Sequence, residues 1–273
     1  MGGHAHATTV PWGSYVGTAV ASIAFLAFLP ALGNGWFNWD DANKFVANPH
    51  YRPLDWANLR WILTGSVKGA HWVPLTWLTL SLDYVLWGMR PAGYHLTSVI
   101  LHSISAFLCY RFADRLLELG LGSSSRGSER RVGAAGAALF WALHPLRVES
   151  VAWITERRDV LVGLFAFATL LAWVRACFPR RHARPACGWY WAAVGCFALA
   201  FLSKTMVVGL PLVLVVLGML AFHLETWLEQ RGRRGLALEL YQRAATQLAG
   251  DHTACERASR LDPRAECGAG ARQ

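Results

Sequence analysis

Apolar residues in this chain come in long runs, and charged residues collect between the runs. Residues 15–32 contain no charge, and the run approaches the roughly 20 residues a helix needs to cross a bilayer core. Asn34 and Gly35 end it. Residues 36–70 carry Asp40, Asp41, Lys44, Arg52, Asp55, Arg60 and Lys68 among many aromatics, so this stretch cannot span. Residues 73–89 are apolar again, yet Thr76, Thr79 and Asp83 interrupt them. At about 100° per residue those three share one stripe of a helix, so the segment could lie in the interface or cross. Further spans are predicted at 94–113, 132–144 (short, and ended by Pro145), 159–174, 189–202 and 206–222.

The reading is therefore an all-α polytopic transmembrane bundle of about six spans, with 73–89 the candidate seventh. A tail at 1–14 precedes a membrane domain at 15–224, whose outer loop is 34–92. An Arg-rich soluble tail fills 225–273. Loops at 115–131 and 180–184 and the tail from Arg231 are rich in arginine and alternate consistently, so the positive-inside rule reads them as cytoplasmic. Residues 144–159 and the Ser203-Lys204 turn then face outward. With six crossings 36–70 also faces outward; with seven it faces the cytoplasm.

Composition agrees. Of 273 residues 54% are hydrophobic and 16% charged, against about 25% charged in soluble domains. The net charge of +9 belongs mostly to the cytoplasmic loops and tail, so it does not argue for nucleic acid. The mean hydropathy of +0.29 reflects polar segments diluting the spans. Disorder throughout is excluded by the apolar content, and six cysteines are too sparse for a disulfide-stapled scaffold. They show neither a CxxC pair nor zinc spacing. Half of the 14 tryptophans (Trp36, Trp39, Trp56, Trp61, Trp72, Trp77, Trp87) fall within the outer loop. Indoles favour the headgroup boundary, which predicts a membrane-hugging loop.

Two constellations carry candidate chemistry. Asp40 and Asp41 lie just past the first span, where one carboxylate could act as a general base while the other holds a substrate hydroxyl or a divalent metal. Adjacent acids also occur in plain surface turns. The second constellation is His144, Arg147 and Glu149 around Pro145, followed by Glu156, Arg157, Arg158 and Asp159. Ionisable residues this close to hydrocarbon face a cavity or a partner. Arg157 and Arg158 could bind a lipid phosphate or simply snorkel to headgroups, and Lys204 has the same two readings. His95 and His102, seven apart, suit helix–helix hydrogen bonding better than metal ligation. No Walker loop, GxSxG or dinucleotide fingerprint is present.

Several of these motifs recur in one order elsewhere: Phe37-Asn38-Trp39-Asp40-Asp41, Trp72-Val73-Pro74-Leu75-Thr76-Trp77-Leu78-Thr79, Gly93-Tyr94-His95-Leu96 and Leu101-His102. His144-Pro145-Leu146-Arg147-Val148-Glu149-Ser150-Val151-Ala152-Trp153, Arg158-Asp159-Val160-Leu161 and Ser203-Lys204 follow. Over about residues 15–222 the chain resembles the membrane half of the transmembrane and tetratricopeptide-repeat-containing glycosyltransferases. These GT-C-class enzymes include bacterial members and the eukaryotic O-mannosyltransferases. The resemblance implies transfer of a sugar from a polyprenyl-phosphate carrier to a protein or glycan acceptor on the periplasmic or lumenal side. It implies an integral protein of a bacterial inner membrane with its active face periplasmic. It places the catalytic acidic pair on Asp40 and Asp41, and favours 73–89 as interfacial and six crossings.

In that topology Asp40, Asp41, His144, Glu149, Arg157, Arg158 and Lys204 share one side. An inverting transfer follows as the expectation. Asp40 or Asp41 deprotonates the acceptor hydroxyl, while Arg157, Arg158 or Lys204 stabilises the departing lipid phosphate. Members of this family carry more spans and then a repeat array. Here only 237–244 and 258–263 echo a tetratricopeptide repeat, so a truncated member is expected. A non-catalytic membrane subunit is the alternative, and a transporter a further one, although no second half echoes the first.

Overall fold

In the computed structural model, residues 12–65, 72–121, 127–178 and 186–219 are described. The expectations for most of the N-terminal tail, the serine-rich 122–126, the arginine run 180–184, the end of the last span at Phe222 and the tail 225–273 lie outside them. Among the described residues every regular element is helical. The helices are α1 (Trp12–Phe28), α2 (Trp56–Thr64), α3 (Pro74–Trp87), α4 (Pro91–Leu121), α5 (Gly127–Ala142), α6 (Arg147–Ala152), α7 (Arg157–Cys177) and α8 (Ala186–Ser203). Residues 210–219 are helical too. The bundle described below lies within the compact unit that ends at Leu214.

Among the described residues three stretches are long and apolar enough to cross a membrane: Tyr15–Gly33, Pro91–Gly120 and Ile154–Cys177. Cys187–Ser203 and Thr205–Met219 are apolar but shorter. The protein is thus an all-α membrane helical bundle. Its long helices meet through small side chains: Ala24 of α1, Ala106 of α4 and Ala134, Ala138 and Ala142 of α5 share one buried cluster. Between membrane helices small residues let backbones approach closely, so that dispersion contacts accumulate. Gly17 of α1 makes such an approach, because a Cβ there would lie 2.8 Å from ring atoms of Phe107 and Tyr110 of α4. Large apolar side chains such as Leu26, Val132, Phe140 and Trp191 point outward instead, as a lipid-facing surface requires.

Interhelical contacts fix which ends lie together. The chain leaving α1 meets the start of α4: Trp36 packs on Tyr94 with ring centroids 5.0 Å apart. The end of α5 joins them, with the Ala142 carbonyl oxygen 3.0 Å from His102 Nε2. The start of α7 does too, as Arg157 Nη2 donates to the Tyr94 carbonyl at 2.6 Å. The end of α8 meets α3, where Thr76 Oγ1 donates to the Ser203 carbonyl at 3.0 Å. Helices α1, α4, α5, α7 and α8 therefore alternate in direction, and the loops after α1, before α7 and after α8 gather at one end.

This arrangement leaves α3 no crossing to make. The helix has 14 residues, about 21 Å at 1.5 Å per residue, against a hydrocarbon core of about 30 Å. It also lies between α1 and α4 in sequence, whose adjoining ends are already together. Pro74 opens it and Gly88, at φ +61°, closes it; that left-handed conformation suits glycine alone. Helix α4 corrects one sequence boundary. Residues 115–121, read as loop, continue the helix, because Arg115 bonds Glu118 three residues on at 2.8 Å. With 31 residues it is about 46 Å long and carries its charged last turns beyond any hydrocarbon.

The outer loop has its own core. Phe45, Tyr51, Ile62, Val73, Trp77, Leu80, Tyr94 and Ile154 form one buried cluster, with Trp36 and Trp61 packed against it. Trp77 sits edge-on to Phe45 at 5.7 Å and to Trp61 at 5.4 Å. The seven tryptophans of the loop thus divide: Trp36, Trp61 and Trp77 pack inward. Trp39 and Trp56, 72% and 79% exposed, stay outside with Trp72 and Trp87.

Candidate functional site

The two acids that adjoin in sequence have opposite surroundings. Asp41 is 1% exposed and accepts four hydrogen bonds. Its Oδ2 takes the Phe37 backbone N–H at 2.9 Å. Its Oδ1 takes Trp153 Nε1 at 3.1 Å, the Thr155 N–H at 3.2 Å and Thr155 Oγ1 at 2.6 Å. A buried carboxylate needs such donors to offset lost hydration. Asp41 therefore clamps the segment after α1 to the 3-10 turn before α7. Asp40 stays accessible and pairs with Lys44 at 2.5 Å. The difference arises locally: Asp41 leads into a π turn at Ala42–Val46, which points adjacent side chains to different sides. Arg52 holds that turn through the carbonyls of Phe45 and Val46.

The adjacent arginines divide in the same way. Arg157 is 0% exposed. Its Nη2 reaches Asp83 Oδ2 at 2.8 Å, and its Nε donates to Ser98 Oγ at 2.8 Å. Thr97 Oγ1 donates to the other Asp83 oxygen at 2.6 Å. This ion pair locks α3, α4 and α7 together. Burial nevertheless raises the Asp83 carboxyl above its ordinary range, against the pull of Arg157 and Thr97. Arg158 turns the other way and clasps Glu156 with two bonds, at 2.5 and 3.2 Å. Lys204 completes the cluster, pairing with Asp159 and lying 3.6 Å from Glu156.

Between these groups Lys44, Arg158 and Thr155 line a small cavity of about 30 Å³ with an apolar wall that includes Phe45, Val73, Trp77 and Leu80. The two cations thus face a space that takes a small group such as a water molecule. Asp40, Lys44, Glu156, Arg158, Asp159 and Lys204 are thus gathered at one end of the bundle.

His144, Arg147 and Glu149 are not. His144 packs edge-on against Phe140 at 5.6 Å, Arg147 lies 5.4 Å over the Trp141 ring, and Glu149 is exposed. None of the three makes a side-chain hydrogen bond or ion pair with that cluster among the described residues. Nor do three or more His, Cys, Asp or Glu side chains gather there to hold a metal ion. With its two oxygens already taken by four donors, Asp41 is unsuited to be a metal ligand beside Asp40.

Sequence reasoning assigned no part to Lys44, Asp83, Trp153 or Thr155. One of them carried a signal, since an aspartate inside the apolar run 73–89 demands a buried partner.

The chain is similar to curated proteins. It is 28% identical over 194 residues, 68% of its own length, to protein O-mannosyl-transferase TMTC2 of Mus musculus. Against protein O-mannosyl-transferase TMTC4 of Homo sapiens it is 30% identical over 199 residues, again 68% of the chain. Against protein O-mannosyl-transferase Tmtc1 of Drosophila melanogaster it is 34% identical over 149 residues, 51% of the chain. The aligned regions span 22%, 26% and 16% of those relatives. No family profile matches the chain, and no solved structure does. The resemblance read from the motifs is thus met in animal proteins.

Proposed function

With this kinship to protein O-mannosyl-transferases as the premise, we propose that the chain is the membrane region of a glycosyltransferase. It takes a sugar from a polyprenyl-phosphate carrier and delivers it to a hydroxyl of a protein or glycan. The observation that carries this reading is the division of the acidic pair. Asp41 is spent on the scaffold, and Asp40 is left accessible beside an array of cations. We place the end of the bundle bearing Asp40 on the lumenal or periplasmic side, because the connections at the opposite end, 111–131 and 175–184, are the denser in arginine along the sequence.

In the proposed reaction the Asp40 carboxylate takes the proton of the acceptor hydroxyl, and the oxygen attacks the anomeric carbon. The bond to the carrier phosphate breaks from the opposite face, inverting the configuration. The leaving phosphate gains negative charge as that bond opens. Arg158, Lys44 and Lys204 are the cations placed to stabilise it, an electrostatic contribution that grows toward the transition state. Glu156 and Asp159 hold Arg158 and Lys204 in place beforehand, so little reorganisation accompanies the step.

The test is transfer from a polyprenyl-phosphate mannose to a peptide acceptor by the purified protein. Asp40→Asn is expected to abolish turnover while costing about 1 kcal/mol of stability or less. Arg158→Gln is expected to lower kcat by about 10²–10³-fold, the usual cost of losing one charge-stabilising donor. Turnover by Asp40→Asn at the wild-type rate would remove Asp40 from the mechanism.

A further inference from the structure

At the end of the bundle away from Asp40, α4, α7 and the start of α8 enclose a cavity of about 270 Å³. Arg111, Arg115 and Arg175 line it with one carboxylate, Asp114, and Phe178 and Trp189 supply aromatic wall. The acid is already engaged, since Arg130 Nε pairs with it at 2.9 Å. Arg115 is fixed by Glu118 through Nη1 at 2.8 Å and by the Phe178 carbonyl through Nη2 at 2.7 Å. The Arg175 guanidinium lies 4.6 Å over the Trp189 ring. Arg111 rests 5.8 Å from the Phe107 centroid and makes no hydrogen bond or ion pair among the described residues. The cavity therefore holds more positive charge than its own acid neutralises, with Arg111 contributing a complete set of donors.

We propose that this cavity binds the phosphate of an anionic lipid headgroup in the leaflet opposite the candidate transfer site. Guanidinium groups match phosphate geometry through paired N–H donors. The volume falls just below the roughly 300 Å³ at which pockets for whole drug-sized ligands begin, so it takes a headgroup and leaves the acyl chains outside. The exposed apolar face of α8, with Trp191 and Val194, gives those chains a surface to lie on. Trp189 at the first turns of α8 marks the headgroup level, where indoles settle. The site is separate from the transfer chemistry and stands whether or not that reading does.

The experiment uses the purified chain in nanodiscs holding phosphatidylglycerol and phosphatidylcholine in equal amounts, with retained lipid counted by native mass spectrometry. The wild type is expected to keep phosphatidylglycerol preferentially. Each cation near an anionic surface contributes about 5-fold, so Arg111→Gln weakens retention by about that factor and Arg111→Gln with Arg175→Gln by about 25-fold. Arg111→Lys, which keeps the charge and loses the paired donors, retains only part of the preference. Arg60→Gln, which removes an exposed charge from α2, leaves it intact. Equal retention of both lipids by the wild type overturns the proposal without recourse to any variant, and so does equal loss in Arg60→Gln. Protection by inorganic phosphate alone, with no lipid preference, overturns the lipid assignment in favour of a soluble phosphate.

Discussion

Replacing each acid of the pair separately should divide stability from chemistry. In Asp41→Asn the side-chain oxygen can keep the three donors of Trp153 and Thr155. The amide nitrogen, however, then meets the Phe37 N–H 2.9 Å away, donor against donor. One buried N–H loses its acceptor, which costs about 1–3 kcal/mol, and three charge-assisted bonds become neutral ones of roughly half the strength. Offset in part by the smaller desolvation cost of burying a neutral amide, these predict a loss of about 2–4 kcal/mol. Asp41→Ala strands the Phe37, Trp153 and Thr155 N–H groups at once and should cost about 4–6 kcal/mol, allowing for relaxation. Asp40→Asn loses only a partly exposed pair with Lys44, worth about 1 kcal/mol or less. Denaturant unfolding of the purified chain in mild detergent, followed by tryptophan emission, measures all three. If Asp41→Asn unfolds with the wild type, or no more easily than Asp40→Asn, Asp41 is no clamp and the division of roles fails.

Other perturbations address the scaffold. Arg157→Met alone leaves Asp83 buried without its cation and should cost about 3–5 kcal/mol. Because burial already holds Asp83 above its ordinary range, adding Asp83→Leu should recover most of that loss in a double-mutant cycle. Strictly additive losses would show that the two do not interact. Gly17→Ala forces a Cβ to 2.8 Å from ring atoms of Phe107 and Tyr110 and should lower stability by about 1–3 kcal/mol, read as a drop in unfolding midpoint. Topology reporters inserted at Gly65 and Gly127 should report opposite sides of the membrane, and the same side for both would refute the alternation of α1, α4 and α5.

The apolar runs located the long helices because desolvation of the backbone leaves hydrocarbon-spanning segments little freedom. The run at 15–32 became α1 and its 3-10 extension, and Pro145 broke the chain between α5 and α6 as its missing N–H requires. Ends drifted where polar residues continued a helix into water, as at 114–121 of α4. The acidic pair was visible as a pair, but its division was not. Nothing beside Asp41 in sequence indicates Trp153 or Thr155, whose donors come from 112 and 114 residues away. Arg157 and Arg158 were likewise indistinguishable, since which of two neighbours turns inward depends on where Asp83, Ser98 and Tyr94 stand. The aromatic loop core is illegible in the sequence for a related reason: tryptophan composition suits a membrane surface and a buried cluster equally well.

The clamp at Asp41 also sets an order of events during synthesis. Its carboxylate emerges from the ribosome 112 residues ahead of the Trp153 indole, which at about 5–20 residues per second is an interval on the order of ten seconds. Through that time the acid has to remain hydrated, because no donor yet exists to replace water. The segment after α1 therefore stays loose until α7 has been inserted, and only then do Asp40 and its cations take up fixed positions. Nascent chains halted before Thr155 would hold every residue of the acidic motif and none of its geometry.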